Sequence, residues 1–174
     1  MFVLSSPLSL NTSSRFYIFK VDQRVFFHVT GPTSLMESCI FCAIAEGSIP
    51  SHSIYENETT MAFLDINPLS TGHTLIIPKY HSSKLNQLPI SFATSLMNTI
   101  YTLTGPIEEA VGATATTIAF NNGSAAGQEV PHVHCHIIPR FEQDGGKSVH
   151  SIVENPSPPS ADLSNIVLSI KNLI

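Results

Sequence analysis

Between Pro131 and Pro139 the chain reads His132-Val133-His134-Cys135-His136-Ile137-Ile138. Histidine alternates there with apolar residues, and a period of two belongs to an extended strand whose successive side chains point to opposite faces. One register therefore puts His132, His134 and His136 on one face and Val133, Cys135 and Ile137 on the other. The apolar face can pack into a core. The histidine face is costly to bury, because each imidazole taken from water needs a hydrogen-bond partner. Three imidazoles on one face suit transfer chemistry instead, since the ring can act as nucleophile, acid or base near neutral pH.

Such a strand needs a domain around it. The chain has 174 residues, 43% of them hydrophobic and 12% charged, enough to form one globular core without disulfide staples. Its net charge is −5 and its eight Lys and Arg are spread thinly, which gives no footprint for a nucleic-acid polymer. A bound phosphate would have to be held by backbone amides and imidazoles. No apolar run approaches the ~20 residues of a membrane span. A soluble intracellular protein without a membrane partner is expected.

Short strands are predicted over 52–56, 60–65, 73–78, 116–120 and 131–139, the first two joined by a turn at Asn57-Glu58. Phe92, Leu96, Ile100, Leu103, Ile107 and Val111 recur at helical spacing, and Gly105-Pro106 predicts a kink or break in that helix. The pattern is α+β, an antiparallel β-sheet with one main helix. Residues 1–37 are Ser- and Thr-rich with Arg15, Lys20 and Arg24. They are expected to form a leader, either disordered or targeting to mitochondria, and Met36 offers an alternative start. The domain is expected over 38–145. Residues 146–174 provide a linker around Pro156-Ser157-Pro158-Pro159 and a short helix from Ala161.

Asn121-Asn122-Gly123-Ser124-Ala125-Ala126-Gly127-Gln128 precedes the histidine strand. It is small and polar, and permits close backbone approach to an anion. No acidic cluster accompanies it, so no catalytic Mg²⁺ is expected. Three cysteines cannot all pair. Cys39-x-x-Cys42 is compatible with tetrahedral zinc, and equally with a redox pair or chance. His28, His52 and His150 lie in polar or irregular stretches and are expected to be solvated.

The run His132 to Ile138 resembles the signature of the histidine triad (HIT) family. The similarity extends through Ala62-Phe63-Leu64-Asp65-Ile66, Gly72-His73 and Ile76-Ile77-Pro78-Lys79, covers roughly Cys39 to Arg140, and is closest in spacing to the Hint branch of nucleoside phosphoramidases. The resemblance implies that His134 attacks the α-phosphorus of a purine nucleoside monophosphate derivative. A nucleotidyl-histidine would form, and water would release the monophosphate. His136 and His73 would lie near the phosphate, with Asn121 and the amides around Gly127, Gln128 and Glu129 helping to hold it. Asp65 would accept the ribose hydroxyls, and Ile40, Phe41, Ile44, Phe63 and Ile66 would line the base pocket. The implied assembly is a twofold homodimer that uses the helix near Phe92 to Val111 and an adjacent strand. The implied setting is cytoplasmic or nuclear, or mitochondrial where the leader is a targeting segment.

Some relatives pair such cysteines with the histidine of a Pro-Lys-x-His segment and with the first triad histidine. Here these are His81 and His132, so the resemblance implies a closed structural zinc site of Cys39, Cys42, His81 and His132. No organic cofactor is implied. Two departures bear on the leaving group. Glu129 stands where some relatives carry a hydroxyl, and its carboxylate would repel phosphate, so only its amide is expected to contribute. The chain also has no tryptophan and so lacks the Trp-containing tail of some Hint relatives. Competing readings are a dinucleoside polyphosphate hydrolase, a nucleotide-binding scaffold without turnover, and a metallohydrolase with a catalytic ion on the histidine strand.

Overall fold

The computed structural model describes residues 39–153 and 163–174. The leader expected over 1–37 and the proline linker at 156–159 lie outside the described residues. The described part begins with a short helix, α1 (Ile40–Ala45), and three strands, β1 (Ser53–Glu56), β2 (Thr60–Leu64) and β3 (Thr74–Pro78). A long helix, α2 (Ile90–Val111), leads to β4 (Ala115–Ala119) and β5 (Cys135–Arg140). The five strands form one antiparallel sheet in the order β1-β2-β3-β5-β4. The fold is α+β, and the last strand in sequence lies inside the sheet between β3 and β4.

The β1–β2 turn is fixed by a side chain. Asn57 Oδ1 accepts the amides of Thr59 and Thr60 at 2.8 and 2.7 Å, an Asx arrangement that replaces backbone hydrogen bonds through the turn.

Register assigns each face of the sheet its own layer. Ala62 pairs with Ile76, and Ile76 with Cys135. These residues, together with Val133 and Ile137, pack against Leu96, Ile100 and Ile107 of α2. On the opposite face Met61 pairs with Ile77 and Phe63 with Leu75, and these four pack against Cys39, Phe41, Cys42 and Ile44 around α1. Leu75 stands directly opposite His136. The histidines therefore share the α1 face, away from the long helix.

The kink or break predicted at Gly105-Pro106 does not end α2, which continues through Pro106 to Val111. Proline removes one amide from a helix at a cost of about 3 kcal/mol, and packing offsets it. Ile107, beyond the proline, is buried in the same cluster as Leu96 and Ile100. The helix stops at Gly112, whose φ of 68° is the left-handed conformation glycine adopts at a helix end. A second difference concerns the histidine strand. The predicted strand over 131–139 pairs only from Cys135 onward. Val133 N–H donates instead to the Ser82 carbonyl at 2.7 Å, so the approach to the strand is pinned to the segment after β3.

The first compact unit ends at Phe141, and a second spans Glu142–Ile174. The second contains a helix, α3 (Leu163–Lys171), whose apolar residues Leu163, Leu168 and Ile170 are exposed. Among the described residues no helix is long and apolar enough to cross a membrane.

Candidate active site

The three histidines of the triad occupy different environments, and each ring is oriented by a specific partner. His132 is fully buried. Its Nε2 lies 2.8 Å from the Pro78 carbonyl. A carbonyl can only accept, so Nε2 carries the proton and Nδ1 presents a lone pair. Burial lowers its pKa to about 4, and the neighbouring rings of His81 and His134 add to that effect. The Nδ1 lone pair faces Cys39 Sγ at 3.4 Å and Cys42 Sγ at 3.5 Å, while His81 Nδ1 lies 3.3 Å from Cys42 Sγ.

These four residues form a group that could hold a metal ion. A tetrahedral ion ~2.3 Å from sulfur and ~2.0 Å from nitrogen sets each sulfur about 3.5 Å from each nitrogen. The three separations match that figure, so the donor set fits zinc in both chemistry and spacing. Burial, together with the hydrogen bond and charge of Cys39, pushes the Cys42 thiol up to about 12. Without a cation that thiol keeps its proton, and a bound divalent ion would displace it.

His134 is also buried. Its Nδ1 donates to the His132 carbonyl at 2.6 Å, which fixes the proton on Nδ1 and leaves the Nε2 lone pair bare. Phe41 packs against the ring in a T-shaped arrangement, with centroids 5.2 Å apart. A neutral imidazole held in that tautomer can present Nε2 as a nucleophilic nitrogen.

His136 belongs to a separate chain of bonds. The Leu69 amide donates to His73 Nδ1 at 3.1 Å, so His73 carries its proton on Nε2. That nitrogen is 3.0 Å from His136 Nδ1, which must then accept, leaving an N–H donor on His136 Nε2. Burial lowers the pKa of His73, and pushes His136 to about 4 with help from His134 and His73. Both are neutral at physiological pH. Asp65 Oδ2 lies 3.6 Å from His73 Nδ1, and its other oxygen, Oδ1, accepts the Asn67 amide at 2.8 Å. Asp65 is thus a turn-forming residue with one carboxylate oxygen uncommitted to the turn.

The remaining predicted residues divide into three groups. Phe41, Ile44 and Phe63 are buried in the cluster on the histidine face, whereas Ile40 and Ile66 are exposed, Ile66 at 79%. In the small-residue loop, Gly123 and Gly127 have φ of 108° and 83°, which favours glycine at both positions. The Gly127 and Gln128 amides close the loop on the Ser124 and Gly123 carbonyls, and Asn121 Nδ2 donates to the Gly127 carbonyl at 3.3 Å. Glu129 lines a cavity of about 310 Å³ that opens against Cys39 and His81. The sequence pattern gave no sign of the contacts made by the Gln128 side chain or of the Leu69 amide that orients His73.

The HIT domain model matches residues 46–143. The chain is a member of the HIT family. Among its HIT relatives is an uncharacterized HIT-like protein of Methanocaldococcus jannaschii, 40% identical over 76% of this chain and 98% of its own length. The adenosine 5'-monophosphoramidase HNT1 of Saccharomyces cerevisiae is 40% identical over 68% of this chain and 72% of its own. A HIT family protein of Bacillus subtilis has a similar solved structure, with a TM-score of 0.68 and 37% identity over 79% of this chain and 97% of that one. A Zn-bound histidine triad family protein of Mycobacterium smegmatis is similar at a TM-score of 0.60, with 38% identity over 63% of this chain and 80% of that one.

Proposed function

We propose that this HIT protein hydrolyses purine nucleoside 5'-monophosphoramidates through a nucleotidyl-histidine on His134. The observation that carries the reading is the 2.6 Å bond from His134 Nδ1 to the His132 carbonyl, which leaves Nε2 free to attack. In the first step the Nε2 lone pair forms a bond to the α-phosphorus. The phosphorus–nitrogen bond of the substrate breaks, and the amine leaves with that electron pair and takes up a proton from solvent. In the second step water attacks the phosphorus, the His134–phosphorus bond breaks, and its electron pair returns to Nε2. The proton lost by the water goes to solvent or to the released phosphate.

In this reading the neutral pair His73 and His136 supplies a directed N–H donor for a phosphoryl oxygen, and the Asn121 amide and the Glu129 backbone add to it. The uncommitted Asp65 oxygen suits a ribose diol, since a carboxylate accepts from two hydroxyls. Phe41, Ile44 and Phe63 supply the apolar ground of a base pocket, with Ile40 and Ile66 at its exposed edge. The similarity to an adenosine 5'-monophosphoramidase supports the substrate class.

Zinc held by Cys39, Cys42, His81 and His132 would be structural, since four protein ligands leave no open position. It would brace the approach to β5. Exposed Ile90, Met97 and Tyr101 of α2, with Ile118 on the edge strand β4, fit the twofold homodimer. Light scattering at micromolar concentration should give the dimer mass.

The deciding experiment is to trap the intermediate. An activated adenylate mixed with the protein, quenched in base and digested, should yield a peptide carrying an adenylyl group on His134. His134→Ala should lose both adduct and turnover while still binding AMP. Wild-type turnover in His134→Ala would overturn the mechanism. Binding without turnover, across phosphoramidates and dinucleotides, would favour a scaffold.

A further inference from the structure

Gln128 stands at the junction of three segments. Its Oε1 accepts the Gly123 amide at 2.7 Å, and its Nε2 donates to the Ser83 carbonyl at 2.9 Å and to the His132 carbonyl at 3.2 Å. Both hydrogens of the carboxamide are therefore engaged, as is its oxygen. Gly123 belongs to the small-residue loop, and Ser83 follows the segment that carries His81. The His132 carbonyl is the group that also takes the His134 proton. It receives two donors, one for each of its lone pairs.

We infer that Gln128 is a positioning residue for the nucleophile. Its carboxamide aims the His132 carbonyl so that the second lone pair meets His134 Nδ1–H, and it ties that alignment to the loop at Gly123. The peptide joining His132 and Val133 is then held at both ends. Its N–H goes to Ser82, and its oxygen is shared by Gln128 and His134. Without Gln128 the Ser82 contact remains but the carbonyl is free to tilt. The His134 proton can then move to Nε2, where it blocks the attacking lone pair. Gln128 need not touch substrate to act this way.

The inference rests on the reading of His134 as nucleophile, and its test has an arm that needs no substrate. The zinc-loaded full chain is labelled with ¹⁵N-histidine, and the His134 resonances are assigned by their loss in His134→Ala. In wild type, Nδ1 should show the protonated signature and Nε2 the unprotonated one. Gln128→Met keeps the length of the side chain and removes all three bonds, and Gln128→Glu keeps its shape while directing a carboxylate at two carbonyls. Both variants should show His134 as a mixture of tautomers, with metal content unchanged. With adenosine 5'-monophosphoramidate, kcat should fall about tenfold, the equivalent of one ordinary hydrogen bond. KM should stay within about twofold.

A pure Nδ1–H tautomer in both variants would overturn the inference, whatever happens to the rate. A rise in KM at constant kcat would also overturn it, in favour of direct substrate contact. Wild type with the expected tautomer and no turnover would instead sink the proposed hydrolysis. The tautomer arm would still decide the role of Gln128.

Discussion

Stripping the proposed zinc from the Cys39, Cys42, His81 and His132 cluster should lower the melting temperature by about 10–20 °C, and the figure can be worked from the geometry. The sulfur–nitrogen separations of 3.3, 3.4 and 3.5 Å already fit a tetrahedral zinc, so binding needs little rearrangement. An ion that binds only the folded chain stabilises it by RT ln(1 + [L]/Kd), about 2.7 kcal/mol at a hundredfold excess over Kd and about 4.1 at a thousandfold. For a domain of this size each kcal/mol moves the melting point by roughly 4–5 °C. The assay is calorimetry of the metal-loaded full chain against increasing chelator, with metal content and thiol reactivity followed in parallel. Cys39→Ser should melt at the chelated temperature, and chelator should not lower it further. Metal-free protein whose melting point ignores added zinc would refute the reasoning.

Three further outcomes are expected. Gly72→Ala should destabilise by about 2–3 kcal/mol in denaturant titrations, because φ there is +82° and a Cβ would stand 2.8 Å from Val111 Cγ1. The same change should lower kcat, since Gly72 precedes His73. Stability should be flat above about pH 6.5 and fall from there toward pH 4. His136 is held near 4, with His73 also lowered, by burial, so the unfolded chain binds protons that the folded chain refuses, at up to about 1.4 kcal/mol per pH unit for each ring. His134, His73 and Asp65 are the titratable groups bearing on His136, and His136→Gln should flatten part of that slope in equilibrium unfolding. Asp65→Asn should raise KM for the ribonucleotide more than for its 2'-deoxy analogue, and equal effects on both would argue against a ribose contact.

The site was legible in the sequence to the extent that backbone period dictates it. Alternation across 132–137 put Val133, Cys135 and Ile137 into the α2 core, and the histidines on the other face, without any knowledge of the partners. Residue type alone could not say which nitrogen of each ring carries the proton. That depends on the carbonyls of Pro78 and His132 and on the Leu69 amide, which only the fold brings within reach. The helix that runs unbroken through Pro106 shows a related limit. Local propensity opposes helix there, but burial of Ile107 one residue later decides the outcome. Gln128 shows the same limit, since its neighbours in sequence suggested an anion-binding loop while its side chain is engaged in three internal bonds.

The pleat that separates the α2 layer from the imidazole layer has a consequence for how such a chain can change length. Deleting or inserting one residue between Val133 and Ile137 would invert the strand beyond that point. Imidazoles would be driven against Leu96 and Ile100, and aliphatic side chains would be delivered to the face that the histidines now occupy. Point substitutions on one side can be absorbed separately from those on the other, but a frame slip damages both at once. Tolerated length variation should therefore be found outside the paired segment Cys135–Arg140, and not in the strand itself.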